Sequence, residues 1–147
     1  MASFVYTNAK RAFLAGELNL ASNDIRAMLV MANTTADTDK DVATIGAITT
    51  LDEMDGAGYA RVALTGEAVS ADNANDRGEF TADDIVFQNV SAGTRSVAAV
   101  VLYKHVTNDT DSIPLAYIDT ASGITFPITP NGGDLRFAAS AAGLIGG

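Results

Sequence analysis

The sequence has no cysteine and no tryptophan, and only one histidine and three prolines among its 147 residues. Without cysteine, the chain cannot form disulfides, zinc–thiolate sites, iron–sulfur clusters or a thiol nucleophile. A single histidine leaves little material for a histidine-based metal site or a serine–histidine pair. The nucleophile motif G-x-S-x-G is also missing. We therefore expect a protein that is not an enzyme and that binds no metal and no cofactor.

Positive charge is scarce as well. Nine Lys and Arg residues face eighteen Asp and Glu residues, which gives a net charge of −9, and Lys10 and Arg11 are the only adjacent cations. Binding to nucleic acid requires clustered cations, so no nucleic-acid partner is expected. No segment approaches the ~20 apolar residues of a membrane span, and the N-terminus does not resemble a signal peptide. The sequence thus predicts a soluble protein without a membrane partner.

Short apolar runs separated by Asp, Asn, Gly and Pro make up most of the chain. β-branched and aromatic runs between turn clusters are typical of packed antiparallel β domains. The predicted strands lie near 24–31, 59–70, 78–81, 84–90, 96–106, 113–119, 124–128 and 133–138. The length and the apolar content of 48% suit one core. We predict a single, mainly β domain over residues 1–147: an antiparallel two-sheet sandwich or jelly roll of about eight strands with a short N-terminal helix.

Local patterns refine this prediction. Thr7 could cap a helix that ends at Gly16, with Ala9 and Phe13 forming one narrow apolar stripe. Residues 24–31 alternate in a way that predicts a strand with one face well buried. The segment 129–137 contains Asn-Gly between two apolar runs, which predicts a hairpin.

Several polar residues invite a chemical interpretation. His105 has no second histidine or thiolate as a partner, so we interpret it as a structural, half-buried residue. Asp83 and Asp84, and the segment 108–111, could form turns or a weak cation site, and turns are favoured by their Asx content. The Gly-Ala-Gly at 56–58 lacks the lysine and later glycine of a phosphate-binding loop.

Four strings carry a resemblance to a known family: GYARVALTGEAVS, DRGEFTADDIVFQNVSAGTR, AAVVLYKHVTNDTDSIPLAYID and TPNGGDLRF. Together they resemble small virion structural proteins of tailed bacteriophages, most of all capsid decoration (cement) proteins. The resemblance implies synthesis in the bacterial host cytoplasm and a place on the outer capsid surface of the virion, where the protein stabilises capsomer junctions. It implies the major capsid protein as a partner, together with trimer or dimer clusters of the chain itself. Alternatives are a tail, neck or head-completion protein, or a β-sandwich that binds a host-surface glycan.

Three segments are candidates for partner contact: an N-terminal arm or helix (1–16), the 33–41 loop and a small-residue tail (138–147). The N-terminal segment could dock on its own domain or reach a neighbouring subunit. If it is an arm, deletion of residues 1–8 should weaken shell binding and leave the domain folded. The individual candidate contacts are Phe4, Val5, Tyr6, Phe13, Leu144 and Ile145.

Overall fold

The computed structural model describes residues 3–121, 124–137 and 145–146. One α-helix, α1 (Thr7–Leu14), and a turn of 3-10 helix at Ile45–Ala47 accompany β-strands that all pair antiparallel. The predicted mainly β class with a short N-terminal helix is thereby confirmed. The strands are β1 (Phe4–Val5), β2 (Ile25–Met31), β3 (Val62–Ala63), β4 (Ala68–Asp72), β5 (Arg77–Thr81), β6 (Ile85–Phe87), β7 (Val97–Lys104), β8 (Ile113–Ile118), β9 (Thr120–Ala121), β10 (Ile124–Thr125), β11 (Leu135–Phe137) and β12 (Ile145–Gly146).

A five-stranded sheet forms the centre of the fold, in the order β1-β8-β7-β2-β3. Its three longest strands run side by side, with Leu29 opposite Val100 and Leu102 opposite Ala116. These strands carry nearly continuous apolar runs, which is the pattern of a strand that is covered on both faces. Consistent with this, neighbouring side chains that point to opposite faces of β2, such as Met28 and Leu29, are both fully buried. The expectation of one well-buried face was therefore too narrow, because the second face is covered too.

Smaller sheets complete the β-sandwich: β11-β6, β12-β5-β4 and β10-β9. Phe80, Ile85 and Phe87 from β5 and β6 belong to the same core cluster as the residues of the central sheet. Aromatic contacts reinforce this layer, because Phe137 meets Phe87 edge-on at 5.8 Å and stacks on Phe126 at 5.8 Å. One continuous core therefore joins the large sheet to β5, β6 and β11.

The hairpin predicted for 129–137 is wrong. The chain does bend here, since Gly132 adopts φ +93° and the Gly133 N–H donates to the Asn131 side-chain oxygen at 3.1 Å. The two arms then separate: Ile128 bridges to Val97, whereas β11 pairs with β6. The physical reason is burial, because the aromatic side chain of Phe137 enters the core only when β11 lies beside β6.

The long strand predicted for 59–70 is divided into β3 and β4. Gly66 lies between the two parts with φ +64°, a conformation that a regular strand does not accommodate. The chain therefore leaves the central sheet after β3 and enters a different sheet as β4. This change of sheet turns the β4–β5 hairpin into a separate wall of the molecule.

Candidate functional site

An apolar groove of about 780 Å³ lies between the N-terminal segment and the β4–β5 hairpin. We call it the α1–β4 groove. A cavity of this size falls within the usual range of ligand and partner sites. It is lined by Val5, Lys10, Phe13, Gly16, Leu18, Asn19, Leu20, Val69, Gly78 and Phe80.

The first wall of the groove comes from β1 and α1. Val5 lies on β1, which pairs with β8 at the edge of the central sheet. The helix turns its small residues Ala9 and Ala12 toward the core, where both are fully buried. Phe13 is half-buried and faces the groove, and the neighbouring Leu14 is 92% exposed. The helix thus presents large apolar side chains at the surface and packs on the domain through small ones.

Polar contacts fix the start of this helix. Tyr6, not Thr7, occupies the N-cap position, and it makes no side-chain capping hydrogen bond. The Thr7 hydroxyl instead donates to Asp41 at 2.7 Å, and the Asn8 amide donates to the Asp41 and Val42 carbonyls at 2.8 and 3.2 Å. The helix is therefore held against the 33–41 loop and its continuation.

The second wall of the groove is the β4–β5 hairpin. Val69 on β4 lies directly opposite Phe80 on β5, so their side chains share one face of the hairpin. Phe80 is almost fully buried, whereas Val69 is 58% exposed. Strand β12 pairs with the other side of β5, with Ile145 opposite Phe80. The hairpin therefore contributes one buried aromatic ring and one exposed aliphatic side chain to the lining of the groove.

The candidate contact residues occupy three different environments. Val5 and Phe13 line the α1–β4 groove. Tyr6 is fully buried, with its hydroxyl donating to the Ala36 carbonyl at 2.6 Å, and therefore offers no surface for a partner. Phe4 is half-buried: its ring stacks on Tyr117 at 5.4 Å.

Of the two candidate contacts in the tail, the structure describes one. Ile145 is placed through its backbone pairing with β5, and Leu144 lies outside the described residues. Whether any of the other five residues contacts a partner stays a prediction.

The placement of Tyr6 corrects the truncation expected above. Residues 4–14 dock on the domain to which they belong, because β1 pairs with β8 and α1 packs beside it. Deletion of residues 1–8 would remove an edge strand and a core tyrosine. We therefore expect that deletion to destabilise the domain and not merely to release an arm.

Several groove residues were not recognised as candidate contacts from the sequence. Leu18 and Leu20 lie in the loop between α1 and β2, whereas Val69 and Phe80 lie on the β4–β5 hairpin, far away along the chain. The alternation of Leu18 and Leu20 directly after Gly16 is a local signal of a buried face, and it could have drawn attention to this segment. Nothing local marks Val69, since its exposure results from the change of sheet at Gly66.

A separate polar cluster centres on Arg61. Its guanidinium donates to Glu53 (2.8 Å through two nitrogens) and to Asp109 (2.6 and 3.0 Å), and lies 5.3 Å from the Tyr103 ring centre. The Tyr59 hydroxyl donates to the same Glu53 at 2.6 Å. Hydrogen bonding to Arg61 lowers the pKa of Asp109, and burial raises the pKa of Tyr59. One guanidinium thus bridges two carboxylates, and the cluster ties loops to the central sheet.

The other polar candidates are engaged in structural contacts. His105 is half-buried, and its ring lies 6.4 Å from that of Tyr103. The backbone N–H of His105 donates to the Asp24 carbonyl. In the 108–111 turn, Asp111 accepts the N–H groups of Thr107 and Asn108, each at 2.9 Å. These two hydrogen bonds stabilise the charged carboxylate and lower the pKa of Asp111. These are the contacts of Asx-type turns.

The two adjacent carboxylates before β6, Asp83 and Asp84, also contact other side chains of the domain. Asp83 accepts from the Thr65 hydroxyl at 3.1 Å, and Asp84 lies 3.4 Å from Arg136. Among the described residues, no group of three or more His, Cys, Asp or Glu side chains is placed to hold a metal ion.

In the described part of the chain, no helix has the length and apolar character needed to cross a bilayer. Comparison of the chain with protein-family models, with curated proteins and with solved structures gives no match.

Proposed function

We propose that the protein is a capsid decoration protein of a tailed bacteriophage. In this role it binds the outside of the assembled head and reinforces the junctions between capsomers. The observation that carries the proposal is the α1–β4 groove, an open apolar surface on a strongly acidic domain with a continuous core. The proposal also draws on the family resemblance of the strand and turn strings.

Charge supports an outer location. The inner surface of a head faces packaged DNA, and a chain of net charge −9 would be repelled there. On the outer surface the same charge keeps free copies apart in solution. The negative charge therefore suits a subunit that accumulates as a soluble monomer and then binds the finished shell.

The size of the domain is sufficient for adhesion. A standard interface removes about 800 Å² from each partner. The chain exposes 7029 Å², so one such contact would use about a tenth of its surface. The groove supplies the apolar centre that a specific interface requires, and the acidic surroundings supply the polar rim.

The mechanism follows from linked equilibria. A subunit that binds only the assembled lattice stabilises the lattice by RT ln(1 + [L]/Kd) for each occupied site. At a free concentration about 100 times Kd, each site gains about 2.7 kcal/mol. Repetition over the many equivalent positions of a shell makes this stabilisation large, and the bound protein carries out no chemical step.

Copy number in purified virions tests the proposal. A decoration protein should approach the abundance of the major capsid protein on a stained gel, and it should co-sediment with expanded heads but not with unassembled capsid subunits. Six or twelve copies at one vertex would instead identify a neck or head-completion protein and would overturn the proposal. Failure to sediment with heads at any stage of maturation would overturn it as well.

A further inference from the structure

We propose that β4 is the docking edge for an extended segment of the shell protein in which apolar side chains alternate with Lys or Arg. The inference rests on the proposed function, and it adds the site and the chemistry of the partner. In this mode of recognition, the partner segment joins a sheet as an additional strand. Backbone hydrogen bonds supply affinity, and alternate side chains supply specificity.

The edge is open. Strand β4 is the outermost strand of its sheet among the described strands, and its residues Ala68–Ala71 are exposed. Natural proteins usually protect such edges with lysine, proline or a bulge. The sequence Ala-Val-Ser-Ala-Asp contains neither lysine nor proline, and its register with β5 is regular over all five pairs. An unprotected edge of this kind is a template for another strand.

The edge also adjoins an apolar surface. Val69 is one of three large apolar side chains that the described chain leaves strongly exposed, and it lines the α1–β4 groove. A strand added beside β4 would place its own side chains next to Val69 on the groove face. One apolar side chain of the segment could then enter the groove toward Phe13. The edge and the groove therefore form one continuous docking surface.

The charge of the hairpin defines the partner. Residues 67–79 carry four carboxylates and a single cation, Arg77, which is already paired with Glu79 and Asp72. Glu67 and Asp76, near the two ends of β4, have no ion-pair partner among the described side chains. Electrostatic complementarity with these carboxylates therefore favours a basic segment at the hairpin. The cation Lys10 lies on the opposite wall of the groove and is not part of this acidic surface.

The pKa of Glu67 fits this geometry. Burial and the neighbouring carboxylate of Asp24 raise it above the usual value. A cation from the partner would oppose both effects, because it favours the charged form. A second copy of the chain would instead bring its own carboxylates to the same place. Like charges at an interface oppose association, so self-pairing at this edge is disfavoured.

Two peptide probes test the chemistry of the partner without a head. One alternates Lys and Val, the other alternates Glu and Val, and both are short and fluorescently labelled. Fluorescence anisotropy should show binding of the Lys–Val peptide that weakens as salt is raised, since the ion pairs are exposed. Equal binding of the Glu–Val peptide, or absence of binding by the Lys–Val peptide, would overturn the inference.

Two valine variants test the location. Val69→Lys places the edge-protecting residue on β4, and Val106→Lys makes the same change at a valine that is also exposed but lies outside the groove lining. We expect Val69→Lys to weaken binding of both the peptide and expanded heads by at least about tenfold. Val106→Lys should leave both unchanged. Circular dichroism and thermal unfolding should show that both variants remain folded.

The outcomes separate the two proposals. Wild-type protein that binds heads, together with a Val69→Lys variant that binds them equally well, would overturn the edge inference and leave the decoration role intact. Absence of head binding by the wild type would overturn the decoration role, and the peptide experiment would then decide the edge by itself. A concentration-dependent dimer that Val69→Lys abolishes would overturn the choice of a basic partner in favour of a second copy.

Discussion

Removal of one buried hydroxyl tests how firmly the N-terminal segment belongs to the domain. Tyr6 and Tyr117 are both core residues, 0% and 3% exposed. The Tyr6 hydroxyl donates to the Ala36 carbonyl at 2.6 Å, whereas the Tyr117 hydroxyl has no hydrogen-bond partner within the described residues. Substitution of either tyrosine by phenylalanine removes one oxygen and preserves the ring. The two variants therefore differ in the loss of a single hydrogen bond.

The expected magnitude follows from that bond. In Tyr6→Phe, the Ala36 carbonyl loses its side-chain donor in a buried site, which costs about 1–3 kcal/mol. Tyr117→Phe leaves no partner unsatisfied and should stay within about 0.5 kcal/mol of the wild type. Tyr6→Ala also removes the ring from the core, and its cost should reach at least about 3 kcal/mol. Burial raises the pKa of Tyr6, and it raises that of Tyr117 to about 12, so both hydroxyls stay protonated during the measurement.

Urea unfolding followed by circular dichroism measures these differences. We expect a lower midpoint for Tyr6→Phe at an unchanged m value, which identifies a change in stability and not in the compactness of the unfolded state. Equal midpoints for Tyr6→Phe and Tyr117→Phe would refute the reasoning. That result would mean that the hydrogen bond from Tyr6 to the Ala36 carbonyl contributes nothing to the stability of the folded domain.

Three further predictions use matched variants and the same unfolding assay. Gly58→Ala should destabilise the domain more than Gly16→Ala: both glycines have positive φ, but a Cβ at Gly58 would lie 2.2 Å from a backbone oxygen and one at Gly16 would meet nothing within 4 Å. Arg61→Lys should lower stability more than Arg26→Lys, because lysine cannot bridge two carboxylates through a planar fork and Arg26 pairs at the surface. Asp109→Asn should reduce the sensitivity to acid. The pKa of Asp109 is lowered in the folded state, so its stabilising effect is present at neutral pH and is lost as the pH falls below about 4.

The results that contradict these predictions are equally specific. Equal midpoints for the two glycine variants would mean that the loop at Gly58 moves away from its neighbour without loss of stability. Equal effects of the two arginine variants would show that the Arg61 cluster acts as an ordinary surface ion pair. An unchanged acid transition in Asp109→Asn would assign the acid sensitivity to other carboxylates.

The sequence predicted the strands that carry strong local patterns. Residues 96–106 and 113–119 appear as β7 and β8, and residues 24–31 appear as β2, because each consists mostly of β-branched and other apolar residues. The helix at the N-terminus was predicted from the same kind of local signal. Periodicity and turn residues act within a few positions of the chain, so a single sequence is sufficient to read them.

The partners of the strands could not be predicted in the same way. The segment 129–137 has the composition of a hairpin, but β11 pairs with β6 because Phe137 is buried beside Phe87. Local turn chemistry favours one arrangement, and burial of an aromatic side chain in the common core decides for another. Only the complete set of contacts in the fold contains that information.

The candidate site shows the same division. Val5 and Phe13 were selected from the sequence as apolar residues near the N-terminus, and both line the groove. Tyr6 lies between them in the chain and is buried, because β1 ends where the helix begins and turns this side chain inward. Val69 belongs to the opposite wall and came to the surface through the change of sheet at Gly66.

The sequence by itself determined the β class, the acidic charge, the absence of cysteine chemistry and the positions of the long strands, since these depend on composition and on neighbouring residues. The tertiary structure alone decided which strands pair, which apolar side chains remain exposed and where the groove lies. Burial and edge exposure arise from contacts between residues that are far apart in the chain, and the local pattern does not record them.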